Sequence, residues 1–405
     1  MSNWRQFEDI DIQFHPRMTI ITGPNGAGKT TVLNMVSRTM GWDIALLAVP
    51  TPDMQSIESE IGEGPLFVAS RPQPNGSVTL SNDEVINLNL QNAKSISHIY
   101  SAIGSTKGVY ITSHRQQFIY SLVKNIPLKV DSWDAILNQY TNRYKKTYSK
   151  QNEQELVKAE DSPTFRIKSS LISMAIFGEG NSKVSPNPDA LSTFEGFEQV
   201  LKIVLPEEIG FQKFHIRMPE LLLVSDVGVF PFEALSGGAA AIVDLAWQVY
   251  LASKIFDEFI VMIDEPENHL HPSLQKKLLP KFVSAFPKSQ FIIATHSPLM
   301  INSVEDSHIY AVGRFDSNLF SSKYLDLVNK ASSSSEILYD VLGVDGSVPA
   351  WAEDRFSSII HKYEGLSSNA ESLREMAREL RGAGLSDRIA TAFERISGAL
   401  DDKTK

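Results

Sequence analysis

Hydrophobic and polar positions alternate near the start of the chain in short segments that are typical of β-strands. Ile10, Ile12 and Phe14 are separated by polar residues, which predicts a strand buried on one face. Residues 18–22 are mostly apolar and predict a second strand, which runs into a glycine-rich loop. A helical stretch is expected over residues 30–40, directly after this loop.

The middle of the chain is mixed at first and then becomes polar and largely helical. Residues 108–112 predict a strand. Farther on, apolar residues recur at spacings of three and four, beginning with Trp133, Ile136 and Leu137, as they do on one face of a helix. We interpret residues 131–205 as a mainly helical insertion.

Segments typical of a protein core return after residue 205. Residues 220–231 predict a hairpin that turns at Ser225 and Asp226. Residues 259–263 and 291–294 are continuous apolar runs, which are typical of strands buried on both faces of a parallel sheet.

Two amphipathic helices are expected near the end of the chain, with a break at residues 382–384. Their apolar positions are Leu373, Met376, Ala377 and Leu380 in one helix, and Ile389, Phe393, Ile396 and Leu400 in the other.

Composition narrows the chemistry that these elements could carry. The chain has 405 residues and no cysteine, which excludes disulfides, cysteine-ligated zinc, iron–sulfur clusters and thiol catalysis within it. The formal net charge of −10 argues against coating nucleic acid by bulk charge, although a local basic groove is not excluded. Residues 143–150 are the best candidate for such a groove, but a charge run of this kind is usually a solvated helix face.

Membrane and export signals are not expected. The sequence contains no apolar run of the roughly 18 residues that a spanning helix needs. Its first residues have neither the basic start nor the apolar stretch of a signal peptide. We therefore expect a cytoplasmic location and no membrane partner.

The glycine-rich loop carries the clearest chemical signal. Residues 23–30, Gly-Pro-Asn-Gly-Ala-Gly-Lys-Thr, fit the pattern GxxxxGK[ST] between a strand and a helix. Glycines let the backbone wrap a phosphate chain, Lys29 can reach the β- and γ-phosphates, and the Thr30 hydroxyl can ligate magnesium. The residues predicted to contact the nucleotide here are Asn25, Gly26, Ala27, Gly28, Lys29, Thr30 and Thr31.

Two acids follow the apolar strand at residues 259–263. Carboxylates at the mouth of a buried sheet are poorly solvated, so their presence suggests a function. Asp264 suits indirect binding of magnesium, and Glu265 suits the base that polarises an attacking water.

Two further motifs occur in the same part of the chain. Leu235-Ser236-Gly237-Gly238 precedes a helical run, which predicts a second anion site at a helix N-terminus. One chain cannot easily direct both this loop and the first one at the same γ-phosphate. His296 ends the next apolar strand, where it could donate a hydrogen bond to a γ-phosphate.

These four motifs, in this order, resemble those of the ABC-type ATPase heads. They are most similar to the branch that contains the overcoming-lysogenization-defect (OLD) ATPases, the RecF-like and double-strand-break-repair heads, and ATPases of anti-phage systems such as Septu and PARIS. The resemblance implies an α/β fold, a mixed sheet with a P-loop core and an N-terminal antiparallel β part, extended by a helical insertion and C-terminal helices. It also implies ATP and Mg²⁺ as cofactors.

The resemblance further implies a homodimer or higher oligomer in which two heads sandwich two ATP molecules. Each ATP would be held by the P-loop of one chain and by the Leu-Ser-Gly-Gly motif of the other. The implied roles are phosphate binding for Lys29, magnesium binding for Thr30, nucleotide contact in trans for Ser236, Gly237 and Gly238, the Walker B acid for Asp264, the catalytic base for Glu265 and the switch histidine for His296.

On this reading the chain divides into four parts. Residues 1–130 would be the N-terminal part of the ATPase core, and residues 131–205 the insertion. Residues 206–345 would complete the core, and residues 346–405 would form a C-terminal helical segment.

Two departures from the wider family pattern stand out. The sequence from Asp264 to Pro272 reads Asp-Glu-Pro-Glu-Asn-His-Leu-His-Pro, which is typical of the OLD-like branch and argues against a transporter. His271 occupies the position of the usual D-loop aspartate. The glutamine that normally follows the P-loop to bind magnesium is assigned to Gln116, with Gln117 as the alternative.

Three hypotheses about function remain open from the sequence. The chain has no Asp-x-Asp after His296, as a Toprim nuclease would need, and no long heptad array. The leading hypothesis is a sensor or regulatory ATPase that restrains a separately encoded effector, with a nuclease as the expected effector, in anti-phage defence. The second is a RecF-like DNA-repair ATPase that binds DNA, and the third is the energy-coupling subunit of a transporter.

Overall fold

The computed structural model describes residues 2–4, 7–40, 76–79, 85–88, 106–113, 115, 118, 120–123, 132–137, 162–315, 319–325, 350–363, 370–389 and 391–393. The chain divides into two compact units, Met1–Ile337 and Leu338–Lys405. Among the described helices, none combines the length and the apolar character that crossing a bilayer requires.

A ten-stranded mixed sheet forms the centre of the first unit. Its strands lie in the order β5-β4-β1-β2-β13-β12-β3-β11-β10-β6. The strands are β1 (Ser2–Trp4), β2 (Phe7–Asp9), β3 (Met18–Thr22), β4 (Gly76–Thr79), β5 (Val85–Leu88), β6 (Gly108–Ile111), β10 (Phe259–Asp264), β11 (Ser289–Ala294), β12 (His308–Gly313) and β13 (Phe320–Leu325).

The parallel half of this sheet brings the predicted motifs to one edge. Strands β6, β10, β11, β3 and β12 run parallel to one another. Asp264 pairs in register with Ala294, and Ile263 with Ile111. Because parallel strands end at the same edge, the segments that follow β3, β6, β10 and β11 lie side by side. The continuous apolar runs are buried as predicted.

The other half of the sheet is antiparallel for the most part. Strands β1, β2, β4 and β5 pair in antiparallel fashion, which confirms the N-terminal antiparallel part. The strand predicted over residues 10–14 is wrong, because the strand ends at Asp9. After Asp9, backbone N–H groups bond to side chains: that of Asp11 donates to Ser322 Oγ and that of Gln13 to the Tyr310 hydroxyl.

Six helices of the first unit, in addition to a helical segment at residues 133–137, accompany the sheet within the described residues. They are α1 (Lys29–Ser37), α2 (Pro163–Glu179), α3 (Pro188–Val204), α4 (Gly237–Ile255), α5 (Pro272–Ala285) and α6 (Pro298–Ile301). Helices α2 and α3 begin with proline and are capped by Ser162 and Asn187, whose side chains accept hydrogen bonds from backbone N–H groups.

Helix α4 is almost entirely buried, and α3 packs on it. The rings of Phe197 and Trp247 meet edge to face at 4.7 Å, and the Tyr250 hydroxyl donates to the Thr193 carbonyl at 2.9 Å. The described helices of the predicted insertion therefore contribute to the hydrophobic core around α4.

A separate three-stranded antiparallel sheet lies before α4. It consists of β7 (Phe211–Arg217), β8 (Glu220–Ser225) and β9 (Gly228–Pro231). The hairpin predicted over residues 220–231 is confirmed. Strand β7 escaped prediction because a register shift between Phe211 and Lys213 breaks its alternation of buried and exposed positions.

A buried lysine connects α2 to the turn before α4. The Lys168 side chain is fully buried, and its Nζ lies 2.8 Å from Glu233 Oε1 and 2.5 Å from Glu220 Oε2. It also donates to the Ser121 carbonyl at 3.3 Å. A buried ammonium with three oxygen partners fixes the position of the turn that contains Glu233, two residues before the predicted Leu-Ser-Gly-Gly motif.

The second unit contains two described helices, α7 (Ala350–Tyr363) and α8 (Ala370–Gly382). Phe356 of α7 and Met376 and Leu380 of α8 are buried in one apolar cluster. The predicted apolar face of α8 and the break after Gly382 are confirmed. Most of the last predicted helix lies outside the described residues.

Candidate functional site

The P-loop connects β3 to α1 through glycines in unusual conformations. Gly26 and Gly28 have φ of +79° and +96°, a region that L-residues seldom adopt. A Cβ on Gly23 would lie 2.1 Å from the carbonyl oxygen of Val312, so only glycine fits there. The loop ends where α1 begins at Lys29, so that the helix N-terminus faces the phosphate-binding position.

Lys29 lies inside this loop and is only 7% exposed. Its Nζ donates to the carbonyl oxygens of Gly23 at 2.9 Å and Pro24 at 3.1 Å. Burial lowers the pKa of Lys29, while the charges of Glu265 and Asp264 act in the opposite direction. The ammonium is therefore held in the loop by uncharged carbonyl oxygens, which negatively charged phosphate oxygens could replace.

Thr30 and Asp264 join the first loop to the end of β10. The Thr30 hydroxyl donates to Asp264 Oδ2 at 2.8 Å, across 234 positions of sequence. Asp264 is 2% exposed, and its Oδ1 has no hydrogen-bond partner among the described residues. Burial raises the pKa of Asp264 to about 6, against the lowering effect of the Thr30 hydrogen bond.

This pair fits a magnesium ion. A hydroxyl and a carboxylate oxygen are hard ligands of the kind Mg²⁺ prefers, and an unpartnered buried carboxylate oxygen calls for a cation or a water bound to one. A cation here would also offset the cost of burying the ionised carboxylate.

Glu265 follows directly and stands in a strained backbone conformation. Its φ is +48°, which for a residue other than glycine costs on the order of 1 kcal/mol or more. Its N–H donates to the Ala294 carbonyl at 2.8 Å, and its Oε2 accepts from Asn268 Nδ2 at 3.1 Å. The side chain is 29% exposed, so the carboxylate can reach a bound water.

His296 lies beside two glutamates. Its Nδ1 is 3.3 Å from Glu267 Oε1 and 3.6 Å from Glu265 Oε1. The same Oε1 of Glu267 accepts hydrogen bonds from the Thr295 hydroxyl at 2.7 Å and from the His296 N–H at 2.9 Å. Glu267 thus fixes the segment that carries the histidine. Sequence reasoning assigned Glu267 no role; what marks it is its burial at 5% exposure, which only the fold reveals.

The Leu-Ser-Gly-Gly motif lies at the start of α4. Ser236 is the N-cap, and its hydroxyl accepts from the Ala239 N–H at 3.4 Å. Ser236 and Gly237 are exposed, so the N-terminus of α4 is open to a ligand outside the chain. Gly238 faces the loop at residues 265–270, since a Cβ on Gly238 would lie 3.3 Å from the His269 carbonyl oxygen.

The structure leaves some expected residues unassigned. Gln116, Gln117 and the basic segment 143–150 lie outside the described residues. His271, at the predicted D-loop position, is the N-cap of α5 and accepts from the Ser273 N–H at 3.3 Å. This capping contact accounts for a histidine at that position within one chain.

The fold and this site together are those of an ATPase, and two stretches of the chain match AAA-domain families. Residues 1–177 match a family described as "AAA domain", and residues 230–302 match one described as "AAA domain, putative AbiEii toxin, Type IV TA system". The P-loop falls within the first match, and Ser236, Asp264 and His296 fall within the second.

The chain has homology to retron ATPases and to Septu PtuA. It is 28% identical over 227 residues to the retron Ec83 probable ATPase of Escherichia coli, covering 53% of this chain and 39% of that protein. It is 39% identical over 82 residues to the Septu protein PtuA of Bacillus mycoides (strain KBAB4), covering 19% and 12%. The matched regions therefore span about two fifths or less of these relatives.

Among solved structures, the SMC head domain from Thermotoga maritima covers 80% of this chain and 97% of its own, with 13% identity and a TM-score of 0.40. An ATP-binding cassette of an ABC transporter, MJ1267, covers 82% and 90%, with 14% identity and a TM-score of 0.34.

Proposed function

We propose that this chain binds ATP with Mg²⁺ and hydrolyses it in a site that two copies complete together. The observation that carries the proposal is the hydrogen bond between Thr30 and Asp264, which joins the phosphate-binding loop to the acids after β10. Glu265 follows Asp264 in the chain, and His296 Nδ1 lies 3.6 Å from Glu265 Oε1. Phosphate-binding, metal-binding and proton-accepting groups are thus assembled at one edge of the sheet.

Each residue has a part that its surroundings support. Lys29 exchanges its two carbonyl partners for phosphate oxygens and offsets their charge. Thr30 and Asp264 hold magnesium, which supplies positive charge to the phosphates. Glu265 accepts a proton from the attacking water, and His296 donates a hydrogen bond to the γ-phosphate.

In the proposed dimer, each ATP site receives Ser236 from the other chain. The exposed N-terminus of α4 offers backbone N–H groups and partial positive charge to an anion. Helix α1 also begins at an anion-binding loop, the P-loop. One chain cannot easily direct the N-termini of both helices at the same γ-phosphate. A face-to-face pair of chains places the Ser236 loop of each over the nucleotide of the other.

We further propose that the ATPase acts as a sensor or regulatory scaffold for a separately encoded effector in anti-phage defence. Similarity to the retron and Septu proteins supports this part, and a nuclease is the expected effector. Co-purification with the products of adjacent genes tests it. If no neighbouring product binds in either nucleotide state, the scaffold role is wrong.

Mixing two inactive variants tests the two-chain site. Ser236→Arg places a bulky cation where the γ-phosphate of the partner would lie, and Lys29→Ala removes the phosphate-binding ammonium. Each variant alone should be inactive. An equimolar mixture should recover up to about a quarter of the wild-type turnover per chain, because random pairing puts half of the chains in mixed dimers with one intact site each.

The control combines both substitutions in one chain. Mixed in equal amounts with wild type, the double variant leaves every mixed dimer without an intact site. Turnover per chain should therefore fall to about a quarter of the wild-type value, below the half that dilution alone would give. If the two single variants recover nothing when mixed, although both fold and Ser236→Arg still binds ATP, the site is not shared between chains.

A further inference from the structure

Arg115 lies in the core a few residues beyond the end of β6 and is only 8% exposed. Its Nη2 donates to the carbonyl oxygen of Glu265 at 2.8 Å, with longer contacts of 3.3 Å to Pro266 O and 3.4 Å to Asn268 O. One guanidinium nitrogen thus gathers three carbonyls of the loop that contains the catalytic glutamate.

This loop needs an external support. Glu265 has a positive φ, and residues 265–270 form turns instead of a strand or helix, with Asn268 N donating to Glu265 O and Leu270 N to Glu267 O. Carbonyl dipoles that point at one place repel each other unless a donor or a cation lies between them. The guanidinium supplies both a hydrogen bond and a positive charge.

The same segment also reaches the carboxylate of Glu265. Asn268 Nδ2 donates to Glu265 Oε2 at 3.1 Å and to the Ser113 carbonyl at 3.3 Å. Residues 113 and 115 therefore hold both the backbone and, through Asn268, the side chain of Glu265. A displacement of Arg115 would move the Glu265 carboxylate relative to the attacking water.

A third connection leads to helix α4. Asp244 is 2% exposed on α4, and the positive charge of Arg115 lowers its pKa, although burial has the larger effect and raises the pKa to about 6. Asp244 Oδ2 also accepts from Gln248 Nε2 at 3.2 Å. The charge of Arg115 thus acts on a buried acid of α4 as well as on the loop of Glu265.

We propose that Arg115 is a positioning residue for hydrolysis, which holds Glu265 in its left-handed conformation. The role rests on the proposed ATPase function and adds to it a residue that contacts neither nucleotide nor metal. It acts only through Glu265, so its loss affects turnover and leaves ATP binding to the P-loop intact.

The test compares Arg115→Gln with Arg17→Gln. Arg17 is a matched control, because it also bonds three main-chain carbonyls, those of Val283, Pro287 and Ser289, at the opposite end of the parallel strands. Both variants should lower the melting temperature. Only Arg115→Gln should lower kcat, by about 10- to 100-fold, while the Kd for ATP changes by less than about threefold.

Two further variants separate positioning from general damage. Arg115→Lys keeps a charge and one donor and should recover part of kcat; it also serves as the test if the glutamine variant does not fold. In a Glu265→Gln background, Arg115→Gln should cause no further loss of kcat, because both changes remove the same contribution.

The outcomes distinguish the two levels of the proposal. If wild-type protein hydrolyses ATP and Arg115→Gln keeps its kcat, or if the two losses multiply, the positioning role is wrong and the ATPase assignment stands. If wild-type protein neither binds nor hydrolyses ATP, the proposed function fails and the role of Arg115 fails with it.

Discussion

Replacing Lys29 with alanine is expected to weaken ATP binding by about 100-fold or more, which corresponds to the loss of about 3 kcal/mol from charge-assisted hydrogen bonds. The ammonium is buried in the loop and bonds Gly23 and Pro24 in the absence of nucleotide. Without it, the triphosphate would face the carboxylates after β10 with less compensating charge. Isothermal titration with Mg²⁺ and ATP measures the effect.

Lys281 provides a matched control for this experiment. Its Nζ also donates to a main-chain carbonyl, that of Leu205 at 2.6 Å, and burial likewise lowers its pKa. It lies on α5, away from the P-loop. Lys281→Ala should leave the Kd for ATP unchanged, whereas Lys29→Ala with ATP affinity near wild type would mean that the loop does not bind the triphosphate.

Glu265→Gln is expected to lower kcat by about 10²- to 10⁴-fold and to keep ATP binding. Glutamine has the same size and can still accept a hydrogen bond from Asn268, but it cannot take a proton from water. Because hydrolysis would then stop after closure, ATP-bound dimers or higher oligomers should accumulate. Single-turnover kinetics and light scattering measure the two effects.

Glu258→Gln is the control, since Glu258 is exposed and precedes the first residue of the same strand. It should change neither turnover nor assembly. Wild-type turnover in Glu265→Gln would show that another group activates the water.

The sequence was sufficient to predict the elements that are determined by the pattern of neighbouring residues. The apolar runs at 259–263 and 291–294 predicted β10 and β11, because parallel strands buried on both faces need no polar positions. The P-loop spacing predicted the turn between β3 and α1, because the glycines determine its backbone.

The sequence was misleading where tertiary contacts replace a regular pattern. Residues 10–14 alternate like a strand, yet the backbone N–H groups of Asp11 and Gln13 bond to side chains. Strand β7 lost its alternation to a register shift. In both cases the deciding partners are distant in sequence or hidden by a bulge.

The supporting residues of the site were hardest to predict. Arg115 and Glu267 act on residues 150 and 29 positions away, respectively, in their hydrogen bonds to Glu265 and His296. Arg115 belongs to no motif with a fixed spacing, and the run that contains Glu267 does not indicate its partners. Buried groups of this kind are recognised from their partners, so they required the fold.

The absence of cysteine makes the arrangement of two chains directly measurable. Two preparations of Glu265→Gln, one with Ala234→Cys beside the Ser236 loop and one with Asn25→Cys on the P-loop, are mixed and treated with a short bis-maleimide. Both substituted positions are exposed. If two chains share the site, a covalent heterodimer should form with Mg²⁺ and ATP and should not form without nucleotide. Bound ATP without any cross-link between the two chains would contradict a site closed by two copies.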